Sequence, residues 1–120
     1  LKSQTQKEKK IKEIAIQKTT ENAINIPLKI MNNSLELMYL IEKLVINGNP
    51  NSVSDVGVAA LCARSAVLGG YLNVLINAKD LTDINIKDRL IKEAEAIRDK
   101  TIKQENKIID LTIKTIQNSP

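Results

Sequence analysis

Apolar residues recur every three or four positions through long stretches of this chain, and short polar breaks separate the stretches, which is the signature of helices rather than strands. Ile24, Leu28, Met31, Leu35, Met38 and Val45 step by three, four or seven and mark one face of a first helical segment, residues 4–46. Pro27 lies inside it. A proline there cannot donate to the carbonyl of Ala23, and its ring crowds that turn, so a kink or a division into two helices is expected. Thr19 and Thr20 weaken the same region. Asn47-Gly48-Asn49-Pro50 closes the segment, with Gly48 expected in the left-handed conformation and Pro50 blocking continuation. A second helix, residues 54–78, is expected to be capped by Ser52 or Ser54, Ser52 and Asp55 having the spacing of a loose capping box. Asp80-Leu81-Thr82-Asp83 ends it. A third helix, residues 85–117, turns Ile86, Leu90, Ala94, Ile97, Ile108, Ile109 and Ile116 inward and carries charge on its other faces.

The second helix breaks this amphipathic pattern. Val56, Val58, Ala59, Ala60, Leu61, Ala63, Ala66, Val67, Leu68, Leu72, Val74, Leu75 and Ile76 cover nearly every face. A helix apolar all round must be enclosed all round, and two amphipathic neighbours cannot enclose it. The expectation is an all-α, up-and-down bundle of long helices forming a single domain over residues 1–120. A missing N-terminal segment, a partner subunit, or both would complete it. Arg64, Ser65, Asn73 and Asn77 interrupt the apolar stretch 56–78, so it is expected as a buried helix of a soluble protein and not as a membrane span.

Composition narrows the chemistry. The chain has 120 residues, four Gly, three Pro, two Tyr, and neither Phe nor Trp. That is one modest aliphatic core with too few turn formers for a many-stranded sheet. Histidine is absent, which removes imidazole as base, nucleophile or metal ligand within the chain. Cys62 is the single cysteine, so neither an intrachain disulfide nor a thiolate zinc cluster can form, and no metal site is expected. The formal net charge is +4. Lys2, Lys7, Lys9, Lys10 and Lys12 crowd the N-terminus, but Glu8 and Glu13 lie among them and no aromatic is interleaved for base stacking. A solvated helix start is therefore favoured over a nucleic-acid interface. The polar N-terminus lacks the apolar core of a signal peptide, and a cytoplasmic location is expected.

The residues that remain for chemistry gather where the polar turn Gly48-Asn49-Pro50-Asn51-Ser52-Val53-Ser54-Asp55 opens into the apolar helix. At 100° per residue Asp55 and Asn73 are in phase, about five turns apart, with Cys62, Ala66, Gly69 and Asn77 within about 40° of that line and Arg64 opposite. A stripe of small residues either lets another helix approach closely or floors a cleft for a flat ligand. Polar groups at both ends raise the second reading to equal weight. An acid in the first turn of a helix is accounted for by the helix dipole alone. In a site, the Asp55 carboxylate suits stabilising a developing cation better than donating a proton. Asn51 and Ser52 are ordinary turn residues. Asn73 and Asn77, if buried, need partners. Cys62 is expected as a small core residue, since no histidine stands ready to activate it.

Gly48-Asn49-Pro50-Asn51-Ser52-Val53-Ser54-Asp55-Val56-Gly57-Val58-Ala59-Ala60, followed by Leu72-Asn73-Val74-Leu75-Ile76-Asn77, resembles the cyclodeaminase domain of formiminotransferase-cyclodeaminases and the related single-domain methenyltetrahydrofolate cyclohydrolases. Ile26-Pro27-Leu28 resembles their kinked helix. The glycine-rich segment that opens the family's domain, Pro-Gly-Gly-Gly-Ser in type, has no counterpart here, so the chain is similar to the C-terminal portion of such a domain. The resemblance implies a dimerising bundle with a cleft for a reduced folate. It implies conversion of 5-formiminotetrahydrofolate to 5,10-methenyltetrahydrofolate and ammonia, a step of histidine degradation, with cyclohydrolase chemistry in the same cleft as the alternative. It implies Asp55 as the catalytic residue and Asn51, Ser52, Ser54, Asn73 and Asn77 as folate-binding residues. No cofactor is implied beyond tetrahydrofolate as the carrier of the one-carbon unit. The implied partners are a second copy, the N-terminal part of the domain or a chain carrying it, and a formiminotransferase; neither nucleic acid nor membrane is implied. A non-catalytic helical interaction module is the reading from a different class.

Overall fold

A computed structural model describes residues 5–119. They form three long helices, α1 (Gln6–Asn47), α2 (Val53–Ala78) and α3 (Ile84–Gln117), with a short 3-10 turn, Pro50–Ser52, ahead of α2. The architecture is all-α, as the periodicity requires. Contacts between helices fix their directions. The Gln17 side chain bonds both the Asp80 carbonyl and the Thr82 N–H at the α2–α3 turn, and Glu42 near the other end of α1 meets Lys107. Hence α1 and α3 run parallel. Arg64 pairs with Glu105 and the Arg98 guanidinium lies 4.7 Å from the Tyr71 ring centre, so α2 runs against α3. The result is an up-down-up bundle 77 Å long and 23 by 17 Å across.

α1 starts on a capping box: Glu8 N–H donates to the Thr5 hydroxyl and Thr5 N–H to the Glu8 carboxylate. It then runs through Pro27 as one helix, not two. Pro27 is buried beside Ile24, Leu28 and Met31 on the face against the bundle. A proline mid-helix costs about 3 kcal/mol, and burial of its large apolar neighbours, at about 1.5–3 kcal/mol each, outweighs this. The helix ends at Gly48, which is extended (φ −85°, ψ 178°) and not left-handed. A Cβ there would lie 2.2 Å from the Leu44 carbonyl oxygen, so the residue is glycine for space and not for a positive φ.

The capping of α2 also differs from expectation. Ser52 makes no side-chain cap bond. Instead Asn49 accepts the Asn51 N–H, and the 3-10 turn feeds α2 directly, with Ser52 N–H on Asn49 O and Val53 N–H on Pro50 O. The leading N–H groups are satisfied before a serine cap is needed. α3 begins at Asp83, whose carboxylate accepts from Asn85 and Ile86.

The core falls into two apolar clusters. Ile24, Leu28, Met31, Leu35, Val67, Val74, Ala78, Leu81, Leu90, Ala94 and Ile97 form one, and Met38, Ile41, Val45, Val53, Ala60, Ala63 and Ile108 the other. On α3 the buried row is Leu90, Ala94, Ile97, Thr101, Gln104, Glu105, Ile108 and Thr112. Four polar residues thus hold inward positions at helical spacing, where an apolar-only reading finds a gap. Ile86 and Ile109 are half-buried and Ile116 is exposed, against expectation.

Candidate functional site

α2 is held to its neighbours along one side only. Val53, Gly57, Ala60, Ala63, Val67, Gly70, Val74 and Ala78 are buried. Two glycines make the approach close: a Cβ on Gly57 would sit 3.0 Å from the Thr112 methyl, and one on Gly70 would sit 2.6 Å from Met31 Cγ. The opposite side is open. Asp55, Cys62, Ala66, Gly69 and Asn73 are exposed along it and Asn77 is half-buried. Val58, Leu61, Leu72 and Ile76 stand exposed on the same side, Leu72 at 64%. α2 is also long and apolar enough, at a mean hydropathy of 1.5, to satisfy the length and composition of a membrane span.

Each residue singled out in the sequence can now be placed. Asn51, Ser52, Ser54 and Asp55 come together, all exposed, at the N-terminal end of α2. Asn73 and Asn77 share the face of Asp55 but lie about 27 Å and 33 Å of helix rise away. Within this chain the two polar groups therefore end one stripe and do not converge on one point. The asparagines are not the buried amides the sequence suggested: Asn73 faces out, and Asn77 Nδ2 donates 2.9 Å to the backbone carbonyl of Asn73. Cys62 is exposed and not in the core, because its position falls on the uncovered side. Gly69 has nothing within 4 Å of a Cβ, so space for a flat partner lies directly above the middle of the stripe.

α1 shares this incompleteness. Opposite its core row it exposes Ile26, Ile30, Leu37, Leu40 and Leu44, Ile26 at 65%. Aliphatic side chains at this density on two helices belong to a surface that something covers. Two grooves lie elsewhere. One of about 370 Å³ sits between Lys10, Gln17, Glu21 and the turn at Leu81–Asp83, and one of about 360 Å³ sits between α1 and α3. Neither is lined by Asp55 or the asparagines. Among the described residues no three His, Cys, Asp or Glu side chains gather as a ligand set.

A second polar constellation escaped the sequence reading. Between the two apolar clusters, Gln104 Nε2 donates to the Glu42 carboxylate, Lys107 Nζ lies 2.6 Å from the same group, and Arg64 Nε lies 2.7 Å from Glu105. The Arg64 N–H is not aligned on that oxygen, so this contact is an ion pair and not a directed hydrogen bond. The bond from Lys107, and next that from Gln104, hold the Glu42 carboxyl below its ordinary range against a smaller opposing effect of burial. The only signal in the sequence was the interruption of the apolar row of α3 at positions 101–105.

A family model described as formiminotransferase-cyclodeaminase matches residues 1–96. The formimidoyltransferase-cyclodeaminase of Rattus norvegicus is 35% identical over 85 residues, covering 71% of this chain and 16% of the relative. That of Dictyostelium discoideum is 35% identical over 86 residues, again 16% of its length. The methenyltetrahydrofolate cyclohydrolase of Methylorubrum extorquens is 34% identical over 93 residues, covering 78% of this chain and 45% of the relative. The chain thus spans less than half the length of these relatives. The match over four-fifths of the sequence, on a chain whose described residues fold as all-α, places it in the formiminotransferase-cyclodeaminase family.

Proposed function

We propose that the chain is part of a folate-dependent one-carbon enzyme, a formimidoyltetrahydrofolate cyclodeaminase that converts 5-formiminotetrahydrofolate to 5,10-methenyltetrahydrofolate and ammonia. The observation that carries the reading is the family match over residues 1–96, which includes the polar turn and the whole open stripe of α2. In the reaction N10 of the folate attacks the formimino carbon, a tetrahedral intermediate forms, a proton moves from N10 to the departing nitrogen, and ammonia leaves. The product is a delocalised cation. Asp55, exposed at the head of the stripe, is assigned to stabilise that charge or to take the proton. Asn51, Ser52, Ser54, Asn73 and Asn77 are assigned to orienting the folate along α2. The reaction as written needs no metal and no redox cofactor.

The exposed aliphatic residues of α1 and α2 support a further part of the proposal. The remainder of the domain, on this polypeptide or on another, covers these faces and makes the stripe into a cleft, and the assembled domain dimerises, with a formiminotransferase as its proposed associate. Its proposed setting is the cytoplasm. Cyclohydrolase chemistry, in which water attacks methenyltetrahydrofolate to give the 10-formyl form, is the second reading. The Methylorubrum relative favours it, being as similar as the transferase-cyclodeaminases. A helical interaction module is the third, on the strength of the same open faces.

The test is the ultraviolet absorbance of methenyltetrahydrofolate, followed with this chain mixed with an N-terminal segment of a family domain. Its appearance from the formimino substrate supports cyclodeamination, and its disappearance when supplied directly supports cyclohydrolysis. Neither activity, together with no shift of the melting midpoint by a reduced folate, supports the interaction module. Asp55→Ala is expected to lower turnover at least about 100-fold with the fold intact. Unchanged turnover in a folded complex would remove Asp55 from its role.

A further inference from the structure

The groove between α1 and α3 lies outside everything assigned so far. Its volume is about 360 Å³, and Tyr39, Lys100, Lys103, Gln104 and Lys107 line it. Its lysines follow the end of the family match at residue 96, so the family resemblance does not account for them. They stand at i, i+3 and i+7 on one edge of α3, about 4.5 and 6 Å apart along the axis. Like charges at these spacings destabilise a helix by a few tenths of a kcal/mol per pair, and a helix normally relieves them with acids one turn away. Here three of the nearby acids are engaged elsewhere, and the other two, Asp110 one turn after Lys107 and Glu36 one turn before Tyr39, are exposed and do not line the groove. Asp99, one turn before Lys103, takes the Arg98 guanidinium at 2.9 Å. Glu105 takes Arg64. Glu42 takes Lys107 and Gln104, and those bonds keep it ionised. Among the described residues no ion pair forms at Lys100 or Lys103. The groove is therefore lined by two ammonium groups that form no ion pair. On one wall is the Tyr39 phenol. At its base is Gln104, buried and fixed by its bond to Glu42.

We propose that this groove binds a small multivalent anion, a compound with two or three phosphate or carboxylate groups spaced at about one helical turn. Lys100 and Lys103 receive the first two groups through charge-assisted hydrogen bonds, and the Tyr39 hydroxyl donates to the ligand from the α1 side. A third group approaches Lys107 and shares it with Glu42. Glu42 sets an upper limit on the ligand's charge at that end, because a carboxylate beside the site repels a further anion.

The test is titration calorimetry of the purified chain at low ionic strength, with inorganic tripolyphosphate in one arm and tricarballylate in the other. Saturable binding in the first arm identifies a phosphate ligand, and in the second a carboxylate ligand; either supports the proposal. Lys100→Gln with Lys103→Gln is expected to weaken that binding at least about tenfold. The control Lys9→Gln with Lys12→Gln removes the same net charge from the far end of the molecule and is expected to change it less than about twofold. All four positions are exposed, so both variants keep the fold, which circular dichroism checks. Absence of saturable binding in both arms, or equal loss in the two double variants, overturns the proposal.

Discussion

Gly69 and Gly70 of α2 are neighbours in sequence with opposite surroundings, and a methyl group separates them. Nothing lies within 4 Å of a Cβ at Gly69, whereas at Gly70 it would reach Met31 Cγ at 2.6 Å and the Pro27 carbonyl at 3.4 Å. Gly69→Ala gains about 1 kcal/mol of helix propensity with no clash. Gly70→Ala gains the same but overpacks a core in which Met31 is fully buried, at about 1–3 kcal/mol, for a net loss of about 1 kcal/mol. Urea unfolding of the two variants is expected to move in opposite directions. If the proposed function holds, Gly69→Ala is also expected to weaken folate binding in the completed domain, because the added methyl stands in the middle of the proposed cleft floor. A more stable chain with unchanged folate affinity would place the folate away from the stripe.

α1 carries two apolar faces, and they are expected to answer differently to truncation. Met38 is fully buried, so Met38→Ala costs about 2–5 kcal/mol in the chain by itself. Leu40 is 57% exposed, so Leu40→Ala costs at most about 0.5 kcal/mol there. Its effect is expected instead on association with the rest of the domain, measured by co-purification of the two parts. The N-terminal stretch of α1 makes a separate point. Gln17 is level with the α2–α3 turn, and residues 6–16, about 17 Å of helix, are exposed at every position, with Lys10, Glu13 and Ile14 lining the groove beside that turn. A helical stretch of this length has little stability of its own. The Thr5–Glu8 capping box supports it, and Thr5→Ala is expected to withdraw about 1 kcal/mol. Amide hydrogen exchange should show faster opening confined to residues 6–16.

At the scale of the whole molecule, the polar layer of Glu42, Gln104, Lys107, Arg64 and Glu105 divides the core and aligns all three helices. Such a layer is a weak source of stability, and its larger expected effect is on register, since a slip of one turn would leave the Glu42 and Glu105 carboxylates without their partners. It also makes stability depend on pH. The folded pKa of Glu42 is lowered from 4.5 by its bonds to Lys107 and Gln104. Its contribution is therefore complete above the unfolded value and lost as pH falls through the folded one. Glu42→Gln is expected to cost about 1 kcal/mol at neutral pH. The gap between the melting midpoints of wild type and variant should hold at neutral pH and close as pH falls below 4.5. A gap that persists under acid would mean that Glu42 acts through packing and not through charge.

The sequence by itself determined the helices and the family. Their bounds, residues 4–46, 54–78 and 85–117 by periodicity, lie close to those observed, because each helix has an amphipathic row or a continuous apolar run with turn residues at its ends. The run from Gly48 to Ala60 with Leu72 to Asn77 carried the family resemblance. The excess of apolar positions on α2 announced an open face, because a helix wheel counts apolar positions without needing neighbours. Tertiary structure decided the rest. α1 stays whole at Pro27 because buried neighbours hold it, and local propensity cannot register that support. Gly48 and Gly70 are glycines because other atoms come close, a property of space and not of φ. Gln104 and Glu105 lie inside because Glu42 and Arg64, 62 and 41 residues away in sequence, pair with them, and Thr101 does so with its hydroxyl on the Ile97 carbonyl. Whether Asp55, Cys62 and Asn73 face a core or the outside depended on which side of α2 its neighbours cover, and that follows only from where α1 and α3 pack.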